Sequence, residues 1–213
     1  MSNFAGPNTT KSILALNLDA ANPKSYPGTG TIWTDLKGKF PFFPSGATNP
    51  IFSPLNGGNF QFDGTGYYVN NNSILASNPS LISACVWFKC NGTGNRQYIF
   101  NFNNSWGIYL DSGTNVWTTR NGTTQLNDLS YTIPTGTWSN VVISQNTTSN
   151  TSVFVNGNLI STTGVVTAPT ATTFQLGRSL VGNIAHFTFY KGRVLTAKEV
   201  YNNYVADKAR YGF

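Results

Sequence analysis

A chain of 213 residues that is 39% hydrophobic, 14% aromatic and only 9% charged can bury one sizeable β core, and it draws its polarity from Asn, Thr, Ser and Gly rather than from ions. Its net charge of +6 comes from 13 Lys and Arg against 7 acids, with no basic run, which argues against a nucleic-acid partner. No apolar stretch approaches the roughly 18 residues of a membrane helix, so no membrane insertion is expected.

In chain order, residues 1–12 form a polar leader without the basic and apolar regions of a secretory signal, expected to be flexible. Ile13–Leu18 reads as the first strand and Thr31–Thr34 as a short one. Between Leu36 and Leu55 the chain is rich in Pro and Gly, yet Phe40, Phe42, Phe43, Ile51 and Phe52 pin it to a core, so it is no linker. Asn59–Asp63 and Tyr67–Val69 are strands flanking Gly64-Thr65-Gly66, and one of Tyr67 and Tyr68 must face outward. Leu81–Cys90 is apolar on both faces and predicts a central strand. Its two cysteines, Cys85 and Cys90, lie about 16 Å apart along extended chain and on opposite faces. That exceeds the ~7 Å reach of a disulfide, so both are expected to be reduced.

Gln97–Phe102, Trp106–Leu110 and Asn115–Arg120 form a meander. A second meander follows in Val141–Ile143, Val153–Val155 and Leu159–Ile160, where Asn156-Gly157 is a strong hairpin signal. Thr173–Leu176 and Gly182–Tyr190 complete the strands. Thr196-Ala-Lys-Glu199 is a capping box opening a helix that docks through Val200 and Tyr204. About a dozen short strands with turns every 8–12 residues predict an all-β, two-sheet antiparallel sandwich with one short C-terminal helix, residues 13–213 forming a single domain.

Several motifs carry a family resemblance. Asn59-Phe-Gln-Phe-Asp-Gly64, Tyr67-Tyr-Val69 and Ser83-Ala-Cys-Val-Trp-Phe-Lys89 resemble the early strands of laminin-G-like, concanavalin A-like jelly rolls. Gly136-Thr-Trp138, Val153-Phe-Val-Asn-Gly157, Leu176-Gly-Arg178 and Val181-Gly-Asn-Ile184 resemble the later ones. Leu16–Ala20 through Tyr26–Gly30 to Trp33–Leu36, with the ending Asn203-Tyr204 to Lys208-Ala-Arg-Tyr-Gly212, is similar to jelly-roll proteins of tailed bacteriophages. That likeness implies a non-enzymatic virion structural protein, a capsid decoration or fibre module. It would be made in the host bacterial cytoplasm and exposed on the virion surface. Its implied partners are the major capsid or other virion proteins, a second copy in a homo-oligomer, and host surface glycans. Relatives carry acids after the Gly-x-Ile motif that can contribute to a structural calcium site. Ala185-His186 stand there instead, so neither a cofactor nor a metal is expected.

Catalysis is not expected. Glycosidases need two carboxylates about 5–10 Å apart, and hydrolases of this fold set them in a Glu-x-Asp pattern that is absent. The single Glu, Glu199, belongs to the helix cap, while Asp19, Asp35, Asp63, Asp111 and Asp128 sit at strand ends as turn residues. His186 is the only histidine, with no Gly-x-Ser-x-Gly elbow to serve, and reads as structural. The alternative function is a carbohydrate-binding module that attaches the particle to host surface polysaccharide. Its candidate site is Trp106, Tyr109, Trp117 and Arg120, aromatic faces for stacking and a guanidinium for hydroxyls, rimmed by Asn103, Asn104 and Asn121. The competing reading puts the same aromatics in the core or on an ordinary sheet face. Trp87 and Trp138 are expected in the core.

Overall fold

The computed structural model describes residues 14–72, 74, 79–92, 96–102, 106–111, 115–121, 124–163 and 173–213, and for 115–121, 124–128 and 130 the backbone alone. The expected leader, residues 1–12, lies outside these, as do Ile13, Asn103 and Asn104.

The Asn-Gly hairpin forms as its chemistry requires. Trp138–Asn146 (β11) pairs antiparallel with Asn150–Val155 (β12), which turns into Asn158–Thr163 (β13). Asn156 and Gly157 take φ of 48° and 79°, the doubly left-handed turn whose twist matches that of the strands it joins. Val141, Ile143, Val153 and Val155 point into the core between the sheets, and Val142 and Phe154 point away from it. Period-two alternation therefore gives this meander two buried faces.

Leu81–Cys90 (β6) lies beside β11, and beyond it runs Val181–Lys191 (β15). The far edge of β15 is shared. Asn59–Asp63 (β4) pairs with its first half and Leu14–Asp19 (β1) with its second, and Ile51–Ser53 (β3) closes the edge beyond β4. These strands make an eight-stranded sheet, sheet I. Sheet II has seven strands. From one edge to the other they are Thr124–Thr132 (β10), Asn115–Asn121 (β9), Trp106–Asp111 (β8), Gln97–Phe102 (β7), Phe174–Leu176 (β14), Gly66–Asn70 (β5) and Phe43–Gly46 (β2). Every pairing in both sheets is antiparallel.

Aromatic rings fill the space between the sheets. Phe102 and Phe174 lie 4.4 Å apart between centroids, Phe100 and Phe187 5.1 Å, and Trp33 and Phe60 4.7 Å. Cys90 faces this core and Cys85 the opposite side of sheet I; both are free thiols. Tyr68 is buried while Tyr67 is half-buried on the outer face.

The helix Ala197–Asp207 (α1) covers the outer side of sheet I. Its capping box is complete: Glu199 N donates to Thr196 Oγ1 at 3.3 Å, and Thr196 N donates to Glu199 Oε2 at 2.9 Å. Val200 packs with Cys85, Val142, Phe154, Tyr190 and Leu195. Trp87 and Trp138 are buried in a core, as expected, and that core is the one on the outer side of sheet I under Tyr204 and Tyr211. The reason is parity, since Val86 and Phe88 take the inward face of β6.

Other departures have local causes. Trp33 makes an isolated bridge to Phe42 instead of a strand. The segment from Leu36 to Leu55 supplies two short edge strands, β2 and β3. β10 was not expected because it lacks an apolar run; Leu129 and Tyr131 are its residues that pack against the core.

Candidate functional site

The outer face of sheet II gathers the aromatic and cationic groups. Ile108 and Leu110 hold β8 to the core and turn Tyr109 outward. In β7 a register shift lies between Tyr98 and Phe100, so Ile99 and Phe100 both face the core and Tyr98 is turned out beside Tyr109. The two tyrosine rings lie 5.7 Å apart at 40°. Each carries a guanidinium on its face, Arg178 at 5.7 Å from the Tyr98 centroid and Arg96 at 4.9 Å from that of Tyr109. Such stacking covers the face of the guanidinium rather than its N–H edge. Arg96 is also paired with Asp111 at 2.7 Å. Register continues this face through Asn101, Gln175 and Val69 to Phe43, which is 47% exposed at the sheet edge.

The four expected binding residues divide. Trp106 is 1% exposed and faces the core with Ile108 and Leu110, its ring against Phe100, Phe102 and Phe189 and its indole N–H donating to Gln145 Oε1 at 2.5 Å. No ligand can stack on it, so the assignment of Trp106 to the site is corrected. Tyr109 is turned away from the core, but it is 2% exposed with the Arg96 guanidinium over its ring, so it too offers no open face for stacking. Trp117 is the register partner of Tyr109 and Arg120 that of Gln125, and their side chains lie outside the described residues. Sequence reasoning missed Tyr98, Arg96 and Arg178. Strict alternation from Phe100 and Phe102 places Tyr98 inward, and the bulge at Ile99 reverses it.

His186 is placed by a second bulge. A register shift between Ile184 and His186 sets Ala185 and His186 consecutively on the outer side of sheet I, whereas Ile184 and Phe187 face the core. Its Nδ1 lies 3.2 Å from Asp207 Oδ2 and its Nε2 3.0 Å from Asn17 Oδ1. Asp207 is an acceptor, so Nδ1 donates to it, and the tautomer sets the sense of the Nε2 bond to Asn17. Beside it Arg210 donates to Asp19 at 2.8 Å. Burial alone pushes the imidazole pKa down, but the Asp207 hydrogen bond and the charges of Asp19 and Asp207 outweigh it, and the net shift is upward. A group raised in the folded state gives stability that is complete below its unfolded value of about 6.5 and lost as pH climbs through the folded value. The urea midpoint of the wild type is therefore expected to fall as pH rises above about 6.5 more steeply than that of His186→Gln; parallel curves would contradict the upward shift.

The described carboxylates hold structure. Asp19 pairs with Arg210, Asp111 with Arg96, Asp207 with His186 and Glu199 with Arg193. Asp35 accepts from the backbone N–H of Asn17 and Lys37 at 2.8 and 3.0 Å. Asp63 accepts from Thr65 and Gly66 N–H and the Thr48 hydroxyl, which hold its carboxyl well below the usual carboxylate range. Among the described residues no group of three or more His, Cys, Asp or Glu side chains is placed to hold a metal ion. The residues after Gly-x-Ile do not fit calcium, which takes oxygen ligands. Ala185 offers no side-chain donor, and His186 presents nitrogens that are already committed.

A sequence family described as the concanavalin A-like lectin/glucanases superfamily matches residues 62–201. Comparison with curated protein sequences finds no match. Among solved structures, domain 4 of AbnA, a GH43 extracellular arabinanase from Geobacillus stearothermophilus solved with arabinotriose, is similar with a TM-score of 0.71 at 19% identity, covering 90% of this chain and 98% of that domain. The binding domain of botulinum neurotoxin DC in complex with SialylT has a TM-score of 0.70 at 17% identity, over 92% of this chain and 52% of that one. Trypanosoma rangeli sialidase in complex with sialic acid has a TM-score of 0.72 at 13% identity, over 96% of this chain and 35% of that one. At these identities the likenesses establish the fold.

Proposed function

The chain belongs to the concanavalin A-like lectin/glucanases superfamily, and we propose that it is a non-catalytic carbohydrate-binding module whose platform is the outer face of sheet II. The observation that carries this reading is the half-buried Tyr98 with Arg178 on its ring, set against the buried Tyr109–Arg96 pair on the outer face. Aromatic faces take the apolar side of a sugar ring, and guanidinium edges bond its hydroxyls. The match to the whole of an arabinanase domain solved with arabinotriose supports the same role here. The structural duties of the described carboxylates support a role without hydrolysis. A glycan array probed with the intact chain tests the reading. Selective binding of a glycan class supports it, and a blank array over bacterial and host polysaccharides overturns it.

A second reading places the module on a phage virion, exposed at the surface and anchored to capsid or other virion proteins. Its support is that the two stretches resembling phage jelly rolls meet in space. Arg210 bonds Asp19, and His186 bridges Asn17 to Asp207. Mass spectrometry of purified particles tests this reading; absence of the chain from them removes it.

A further inference from the structure

On the outer side of sheet I, between β1, β15 and α1, lies a cavity of about 230 Å³. It is separate from the tyrosine face, which belongs to the other sheet. A cavity of about 150 Å³ already admits benzene, so this one takes a substituted six-membered ring. Its walls are of two kinds. Leu14 and Leu36 give an apolar side, and Asn17, Lys37, His186 and Asp207 a polar one. Asp207 meets His186 through Oδ2 and Asn17 meets it through Oδ1, so Asp207 Oδ1 and the Asn17 amide N–H group remain for a ligand.

The charge of the cavity follows from the same contacts. His186 and the carboxylate of Asp207 are held to each other by a hydrogen bond. Burial pushes the Cys85 thiol up to about 12 and raises the Tyr190 hydroxyl as well, so both are neutral. Lys37 is exposed and makes no ion pair among the described residues, so its ammonium is the cation of the lining open to an anionic ligand.

We propose that this cavity binds a single carboxylate-bearing pyranose ring, a uronic-acid unit, with its carboxylate on Lys37 and its hydroxyls on Asn17 and Asp207. The site stands independently of the tyrosine face.

The protein has one histidine, so heteronuclear NMR of the intact chain shows one imidazole spin system, sited in the cavity wall. Titration with sodium glucuronate is expected to shift it saturably, and glucose to act at least tenfold more weakly. Lys37→Met, at an exposed position, is expected to keep the melting temperature and weaken the glucuronate response at least tenfold. Tyr98→Ala is expected to leave that response unchanged, which separates this site from the sheet II platform. The proposal is overturned by an absent shift, by equal responses to the two sugars, by an unaltered response in Lys37→Met, or by loss of the response in Tyr98→Ala.

Discussion

Trp106→Ala is expected to lower stability by about 3–5 kcal/mol, out of the roughly 5–15 kcal/mol that holds a domain of this kind. The indole is 1% exposed and packs against Phe100, Phe102 and Phe189. Its removal opens a cavity that β8 cannot close, because Ile108 and Leu110 hold the strand at its present distance from sheet I. The substitution also removes the hydrogen bond that the indole N–H donates to the buried Gln145 side chain. Urea unfolding would show a lowered midpoint with an unchanged slope. Trp106→Phe keeps part of the ring and should lie between the two. A normal midpoint in Trp106→Ala would contradict the core placement.

Trp87→Ala is expected to cost about 3–5 kcal/mol as well, and its effect should be local first. The Trp87 ring is stacked with Tyr211 at 4.0 Å and 17° and with Tyr204 at 5.7 Å and 16°, with Phe213 at 6.1 Å. These rings carry the C-terminal segment, so the end of α1 loses its aromatic support while Val200 keeps its packing against Cys85, Val142, Phe154, Tyr190 and Leu195. The polar ties of that end, Arg210 to Asp19 and Asp207 to His186, are partly solvated and hold less. Hydrogen exchange would detect this as lost protection at the amides of Tyr201–Asp207 while those of β11 stay protected. Uniform loss across both would mean that α1 and the sandwich open as a single unit.

Comparing these two tryptophans shows what could be seen in the sequence. Trp106 shares its parity with Ile108 and Leu110, and that period-two pattern points it inward; weighing it as a sugar platform gave its chemistry precedence over its position. Trp87 alternates with Val86 and Phe88, but nothing local announces that a helix and the chain's last residues cover the other side of β6. The Asn156-Gly157 hairpin and the Thr196 capping box were legible because each is set by a few adjacent residues. The site was less so. Bulges at Ile99 and Ala185 each insert one residue into the alternation, and Tyr98 and His186 owe their outward positions to them. A bulge is fixed by pairing with distant strands, and the local pattern of apolar residues does not mark it. Arg96 and Arg178 are 82 residues apart in number and meet the same tyrosine pair only through the β14–β7–β8 register.

The central claim is that the outer face of sheet II binds carbohydrate, and calorimetric titration of the best array ligand into wild type and Tyr98→Ala tests it most directly. Tyr98 is half-buried and outside the core, so its truncation should spare the melting temperature. The expected result is tight, saturable binding by the wild type and a loss of tenfold or more in Tyr98→Ala, about 1.4 kcal/mol. Equal affinities in the two proteins would contradict the account.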